Sequence, residues 1–321
     1  MKKILFLISF IGLSLHAQTS LSKAEVSKYT YQVKEENVIQ TLSYLTSDKL
    51  EGRDSGSEGI EQAAVYLENL LKENGIKPYF KTYRDTLSNF EKPAFNIVGY
   101  LEGTDKKLKN EFVVIGAHYD HIGILQNGVN GDIIVNGAND NATGTTAVTE
   151  VAKYFSTFKN NKRSILFVFF SAEEKGLLGS KHLAAKLKEQ KMDLYFMFNF
   201  EMIGVPMKDK GMDFYLTGFG KSNMATKMNE YAGEKLVGYL PIETKYMLFR
   251  ASDNYPFFTE FNLPAQTVST FDFENFQFYH QPDDEFELMD TKHMATVISK
   301  TIPVLEKMIN APIKEIQLNE R

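Results

Sequence analysis

Ser164-Ile165-Leu166-Phe167-Val168-Phe169-Phe170 is an unbroken apolar run, and Ser171-Ala172-Glu173-Glu174 follows it directly. Seven residues is the length of a strand, and nothing in the run alternates with polar side chains. A strand apolar at every position is buried on both faces, which happens inside a parallel sheet covered by helices. Two further stretches read the same way, Glu111 to Ala117 and Leu194 to Phe200. Helical periodicity fills the intervals. Thr145 to Phe158 lies before the quoted strand, and Leu177 to Leu187 after it. Farther out, Phe95 to Leu101, Asp213 to Thr217 and Ala265 to Ser269 read as strands. Lys34 to Thr46, the segment carrying Ile60, Ala63, Ala64, Leu67, Leu70 and Leu71 up to a stop at Gly75, Ser252 to Phe261, and Thr291 to Ile309 read as helices. The charged turn Gly103-Thr104-Asp105-Lys106-Lys107 reads as a solvated hairpin tip between the first two strands. No repeat or composition break interrupts the pattern. The expectation is α/β: one three-layer α/β/α domain over residues 18–321 with a mostly parallel, mixed sheet.

Composition narrows the chemistry. The chain has 321 residues, 43% of them apolar, with a formal net charge of −5 and no cysteine or tryptophan. Without cysteine, disulfides and thiolate metal sites are excluded, so any metal must be held by histidine and carboxylate. No broad basic patch points to nucleic acid or to an anionic membrane. Met1-Lys2-Lys3, an apolar run from Ile4 to Leu15 and the small residue Ala17 read as a signal peptide over residues 1–17, cleaved after Ala17. The run is too short to span a bilayer, so no membrane anchor is expected. The chain is expected to be exported, periplasmic or secreted.

In open α/β sheets, sites form at the carboxyl ends of the strands, and the chain places its histidines and acids there. His118 and Asp120 follow Phe112 to Ala117, Glu173 and Glu174 follow the quoted strand, and Glu201 follows Leu194 to Phe200. Asp140 lies in Asn136-Gly137-Ala138-Asn139-Asp140-Asn141-Ala142-Thr143-Gly144, which runs into a helix, and His280 follows an aromatic run. Each has a plain structural alternative: a hydrogen-bonded histidine, an N-cap aspartate, a solvated helix start, a core histidine. Together they are harder to explain that way, because one edge would hold several ionised carboxylates with nothing to compensate them. Two metal ions sharing a carboxylate require this inventory of imidazoles, ligand acids and one spare acid as a base. His121, His182 and His293 lack comparable company and are assigned surface or local structural roles.

The ordered motifs resemble a known family, the co-catalytic di-zinc aminopeptidases related to glutamate carboxypeptidase, glutaminyl cyclase and the transferrin receptor. The resemblance rests on Ser47-Asp48-Lys49-Leu50-Glu51-Gly52-Arg53, Gly116-Ala117-His118-Tyr119-Asp120, the Gly137 to Gly144 segment, Ser171 to Ser180, Ser252-Asp253 and Tyr279-His280-Gln281-Pro282-Asp283-Asp284. It implies two Zn2+ bridged by Asp140, with His118 and Glu201 completing one site and Glu174 and His280 the other. It also implies Glu173 as general base, Asp120 as the orienter of His118, and Tyr279 as an oxyanion-stabilising group. Arg250 lies one residue away from a position where some relatives bind the substrate carbonyl. The implied substrate is a peptide with a free N-terminus. Two departures stand out. Glu201 occupies a position where many relatives have aspartate, and glutamate reaches about 1.5 Å further. Asn254 stands where relatives often have a histidine that is not a ligand. The same resemblance leaves room for a glutaminyl cyclase-like acyltransferase, a carboxypeptidase or a non-catalytic binding module. Cyclases usually have tryptophan before the last histidine, where this chain has Tyr279. Phe271, Phe273, Phe276 and Phe278 read either as a wall of a substrate pocket or as core packing.

Overall fold

The computed structural model describes residues 31–320; the signal-peptide reading of residues 1–17 lies outside them. In chain order the strands are β1 (Lys77–Pro78), β2 (Arg84–Thr86), β3 (Phe95–Leu101), β4 (Phe112–His118), β5 (Gly123–Val129), β6 (Asp132–Val135), β7 (Ser164–Phe170), β8 (Leu194–Phe200), β9 (Phe214–Leu216), β10 (Val237–Gly238) and β11 (Ala265–Ser269). Among the described residues the α-helices are α1 (Glu35–Leu45), α2 (Glu58–Glu73), α3 (Thr143–Phe158), α4 (Leu178–Glu189), α5 (Met224–Ala232), α6 (Pro241–Lys245), α7 (Asn254–Phe261) and α8 (Thr291–Asn310).

Nine strands form one mixed sheet in the order β1-β3-β7-β4-β8-β11-β9-β10, with β2 paired to the outer side of β3. Its centre, β7-β4-β8-β11, is parallel throughout. Antiparallel pairing is confined to the flanks, at β3 with β1, β2 and β7 and at β9 with β11. Every residue of β7 and β8 is buried, as strands covered on both faces require. α4 and α7 pack on one face over Val114, Leu166, Val168, Phe170, Met197 and Ala265. On the other face α3 packs with α1 and α8. The closing helix α8 turns Met294, Ile298, Ile302, Leu305 and Met308 inward. Its N-terminus is capped by Asp290, whose carboxylate accepts the His293 N–H at 2.8 Å, a contact contributing about 1 kcal/mol.

The structure corrects one connection. Gly103-Thr104-Asp105-Lys106-Lys107 is not a hairpin tip, because β7 lies between β3 and β4 in the sheet. The turn docks instead on the loop leading into β7. Thr104 N–H donates to the Asn161 carbonyl at 2.8 Å, and Gly103 sits so close to Lys162 that an added Cβ would lie 2.3 Å from its carbonyl oxygen.

A second element is absent from the sequence reading. β5 and β6 form a separate two-stranded ribbon, with Val129 paired to Asp132. Asn130 and Gly131 between them both have positive φ, 55° and 92°, the two-residue turn that Asn-Gly favours. The ribbon leaves the sheet edge at Gly123 and returns at Val135, so it joins the His118 end of β4 to the segment bearing Asp140. Among the described residues, no helix is long and apolar enough to cross a membrane.

Candidate metal centre

The carboxyl ends of the parallel strands deliver the polar side chains to one place. His118 is the last residue of β4, and Glu201 directly follows β8. Glu173 and Glu174 come after Ala172, whose φ of 55° turns the chain sharply out of β7. Asp140 lies in the irregular segment before α3 and has a φ of −110°. His280 has a φ of 57° in the long loop after β11.

Two donor groups result. His121, Asp140, Glu174 and His280 form one, and His118, Glu173 and Glu201 the other; within each, one ligand atom per residue lies within 4.8 Å of the rest. Asp140 stands between them. Its Oδ1 is 3.3 Å from His118 Nε2, while its Oδ2 is 3.2 Å from His280 Nε2. Glu174 reaches His280 Nε2 with Oε2 at 3.2 Å and His121 Nδ1 with Oε1 at 2.9 Å. Yet His118 Nε2, His121 Nδ1, His280 Nε2 and Glu174 Oε1 are buried atoms with no hydrogen-bond partner. Lone pairs that lie this close without hydrogen-bond geometry converge on a shared third partner. A divalent ion bound by nitrogen and oxygen is what such a set accommodates.

His121 is a correction to the sequence reading. It is not on the surface: it is fully buried and lies within the Asp140 donor group. His182 and His293 lie elsewhere. His182 sits 3.2 Å from Ser88 Oγ, and His293 is on α8.

The scaffold under these side chains is built from buried hydrogen bonds. Arg53 is fully buried. Its guanidinium donates to the carbonyls of Tyr119 (2.8 Å), Asn136 (2.6 Å), Gly137 (2.9 Å) and Leu45. It therefore ties the chain between His118 and Asp120 to the chain approaching Asp140. Glu51, Gly52 and Arg53 all have positive φ. Gly52 is the position that requires glycine, since a Cβ there would lie 2.4 Å from the Val135 carbonyl oxygen. From the other side, the Asp284 carboxylate accepts the N–H groups of Asn139 and Asp140 at 2.8 and 3.0 Å. The Asn141 side chain accepts from Gly144 and Met202 and donates to the Phe200 carbonyl. Ser252 donates to Glu201 Oε2.

Asp120 is placed differently from a simple orienter. His118 Nδ1 lies 3.1 Å from the Asp120 main-chain carbonyl and 3.8 Å from its carboxylate. The carboxylate accepts instead from Glu173 N–H at 3.1 Å and Ser55 Oγ at 3.2 Å. It thus fixes the backbone that carries Glu173, while the carbonyl fixes the His118 ring and points Nε2 at Asp140.

Electrostatics follow from burying so many acids together. Burial, with Glu174 and Asp253 nearby, pushes Asp120 up to about 7. Burial, with Asp140 and Asp253, pushes Glu201 up to about 8. Glu173 is raised well above the usual carboxylate range by burial and by Glu201, Asp253 and Glu174. Asp140 goes the other way. Burial would raise it, but the surrounding imidazoles of His118, His280 and His121 hold it well below the ordinary value. Burial acts to lower His280, yet Asp140 and Glu174 raise it to about 10. The cluster without cations is therefore rich in protons, and divalent cations would displace them.

Tyr279 is 41% exposed, and its ring stacks on His280 with centroids 3.9 Å apart. With Glu201, Phe271, Phe273, Tyr215 and Leu248 it lines a cavity beside the donor groups. Phe276 and Phe278 border a different hollow with Val205 and Leu288, so the aromatic series divides between two places. Arg250 does not reach the centre. It is exposed and borders outer grooves with Lys221 and Phe249. Asn254 is buried and bonded to the carbonyls of Phe249 and Ala265 and to Thr267 Oγ1, and it does not border the Tyr279 cavity.

A parallel-sheet edge bearing two donor groups around one shared aspartate is the arrangement of a co-catalytic metallohydrolase. The chain belongs to peptidase family M28, whose model matches residues 96–304. It is 30% identical over 201 residues to the aminopeptidase YwaD of Bacillus subtilis (strain 168), covering 60% of this chain and 40% of that protein. The chain thus spans well under half the length of that relative. It is 25% identical over 301 residues to leucine aminopeptidase 1 of Blastomyces gilchristii (strain SLH14081), covering 90% of this chain and 75% of that protein. The fold is shared with the glutaminyl cyclase of Porphyromonas gingivalis at a TM-score of 0.66 and 16% identity, over 86% of this chain and 99% of that one.

Proposed function

We propose that this protein is an exported two-zinc aminopeptidase that removes N-terminal residues from peptides, with Glu173 as general base. One observation carries the reading: Asp140 presents one carboxylate oxygen to His118 and the other to His280, with Glu173 grouped with His118 and Glu201. The unsatisfied nitrogens and oxygens facing one another fit zinc, which takes histidine and carboxylate ligands. His118, Asp140 and Glu201 would hold one ion, and Asp140, Glu174 and His280 the other. When bound, zinc at this centre would acidify a water and polarise a peptide carbonyl.

The chain's own groups supply the rest. Glu173 takes the proton of the attacking water and returns it to the leaving amine. Asp120 holds the Glu173 backbone in place. The Tyr279 hydroxyl, kept protonated by burial and by the nearby acids, donates to the oxyanion. The carboxylates receive the substrate's α-ammonium group. The cavity walled by Phe271, Phe273, Leu248 and Tyr215 suits an apolar N-terminal side chain. Export rests on residues 1–17 and is tested by the mass of the mature chain.

Glu173→Gln should retain both zinc ions and lose about 10²–10⁴ in kcat on aminoacyl-anilides, the usual contribution of a positioned base. Full turnover in that variant would end this assignment. The shared fold keeps cyclisation of N-terminal glutamine as a second reading, and ammonia release from a glutaminyl peptide would favour it.

A further inference from the structure

We propose that His121 is a protein ligand to the ion held by Asp140, Glu174 and His280, closing that site with four protein donors while the His118–Glu201 site keeps an open position. The inference rests on reading the cluster as a metal centre and adds to it a residue outside the expected ligand set. His121 Nδ1 lies 2.9 Å from Glu174 Oε1 and 3.9 Å from Asp140 Oδ2. Neither His121 Nδ1 nor Glu174 Oε1 has a hydrogen-bond partner. At 2.9 Å a protonated imidazole would normally bond that carboxylate. Instead His121, Glu174, His280 and Asp140 each bring one ligand atom to within 4.8 Å of the others, close enough to share one ion.

The ring is held where it is. His121 is fully buried, and its N–H donates to the Arg53 carbonyl at 3.2 Å. The imidazole lies flush against Gly137, where an added Cβ would stand 2.5 Å from His121 Cγ and Cδ2. The His280 ring meets it edge-on with centroids 5.5 Å apart. These contacts pack the ring with Nδ1 beside Glu174 and Asp140.

The consequence is an asymmetry between the two positions. Four protein ligands make a closed tetrahedral zinc site, whereas three leave a coordination position for water or substrate. The His121 side should hold its ion tightly, and the His118 side should exchange it readily.

The test is zinc content by elemental analysis after dialysis against increasing chelator, for the wild type and His121→Asn. The wild type should lose its ions in two separate steps. In His121→Asn the more resistant step should weaken by about 100-fold or more, beyond the 10–100-fold typical of losing an outer-sphere partner, with the weaker step unchanged. A second measurement needs no variant. Cobalt-loaded wild type should show paramagnetically shifted ring N–H signals from three histidines, and two would refute the proposal. Identical chelator profiles for wild type and His121→Asn would also refute it while leaving the two-metal reading intact. A wild type that binds no metal at all would remove both.

Discussion

Replacing Arg53 tests whether the ligand loops are held by a buried guanidinium. Its side chain is fully enclosed and donates to four main-chain carbonyls from three separate segments. A hydrogen bond from a charged donor contributes about 1.5–3 kcal/mol. Against that stands desolvation, which lowers Arg53 to about 10 even though Asp284, Asp120, Asp140 and Glu174 pull it up. At about 1.4 kcal/mol per pKa unit, the buried charge costs roughly 3 kcal/mol. Arg53→Met removes that penalty but takes the donor from the buried carbonyls of Leu45, Tyr119 and Asn136, each worth about 1–3 kcal/mol when unsatisfied, while the Gly137 carbonyl keeps the Ala142 N–H. The bonds win, and the net loss should be about 3–5 kcal/mol, the range for breaking a buried charged network. Urea denaturation should show it as a lower midpoint at unchanged slope. Arg53→Lys keeps the charge but has three donors in place of a planar fork, so it should fall between Met and the wild type. A loss below about 1 kcal/mol for Arg53→Met, or a lysine variant as stable as wild type, would refute the reasoning.

Asp284→Asn leaves one carbonyl oxygen and one amide donor facing two main-chain N–H groups, so one contact becomes donor against donor. We expect a loss of about 1–3 kcal/mol and a 10–100-fold weaker zinc affinity through misplacement of Asp140, read by chelator competition. Asp140→Ala should lose metal and activity together, and unchanged zinc content would refute its shared role. Zinc at about 100 times its dissociation constant should stabilise the chelated protein by about 2.7 kcal/mol, visible as a rise in melting temperature. No rise would count against a site formed only in the folded state.

The strands that carry the site were readable because their composition left no alternative. β3, β7, β8 and β11 fall on the residues expected from the apolar runs, and the acids after β7 and β8 were conspicuous because a buried strand led into them. Pairing order was not readable in the same way. β3 and β4 follow each other in sequence with a polar turn between, which looks like a hairpin, and only the non-local insertion of β7 shows otherwise. The β5–β6 ribbon did leave a signal, Asn130-Gly131 after Val129, but its strands are exposed and lack the alternation that marks a half-buried pair. Arg250 shows the converse limit. Nearness to Ser252 in sequence says nothing about direction, and a short helical turn at Leu248–Arg250 sends the guanidinium outward.

His121 and Arg53 explain why the centre itself was only partly legible. Both are polar residues in glycine-rich or loop sequence, where exposure is the ordinary expectation. What buries them is the meeting of chain segments far apart in sequence. Arg53 fills the gap between the loops after β4 and before α3, and His121 emerges beside it because its N–H bonds the Arg53 carbonyl. The two are consequently one device: the guanidinium sets the separation of the loops, and that separation sets where the His121 ring can lie against Gly137. Arg53→Lys should therefore loosen the chelator-resistant zinc more than the labile one. Equal weakening of both would mean that Arg53 supports the whole edge of the sheet without favouring the His121 side.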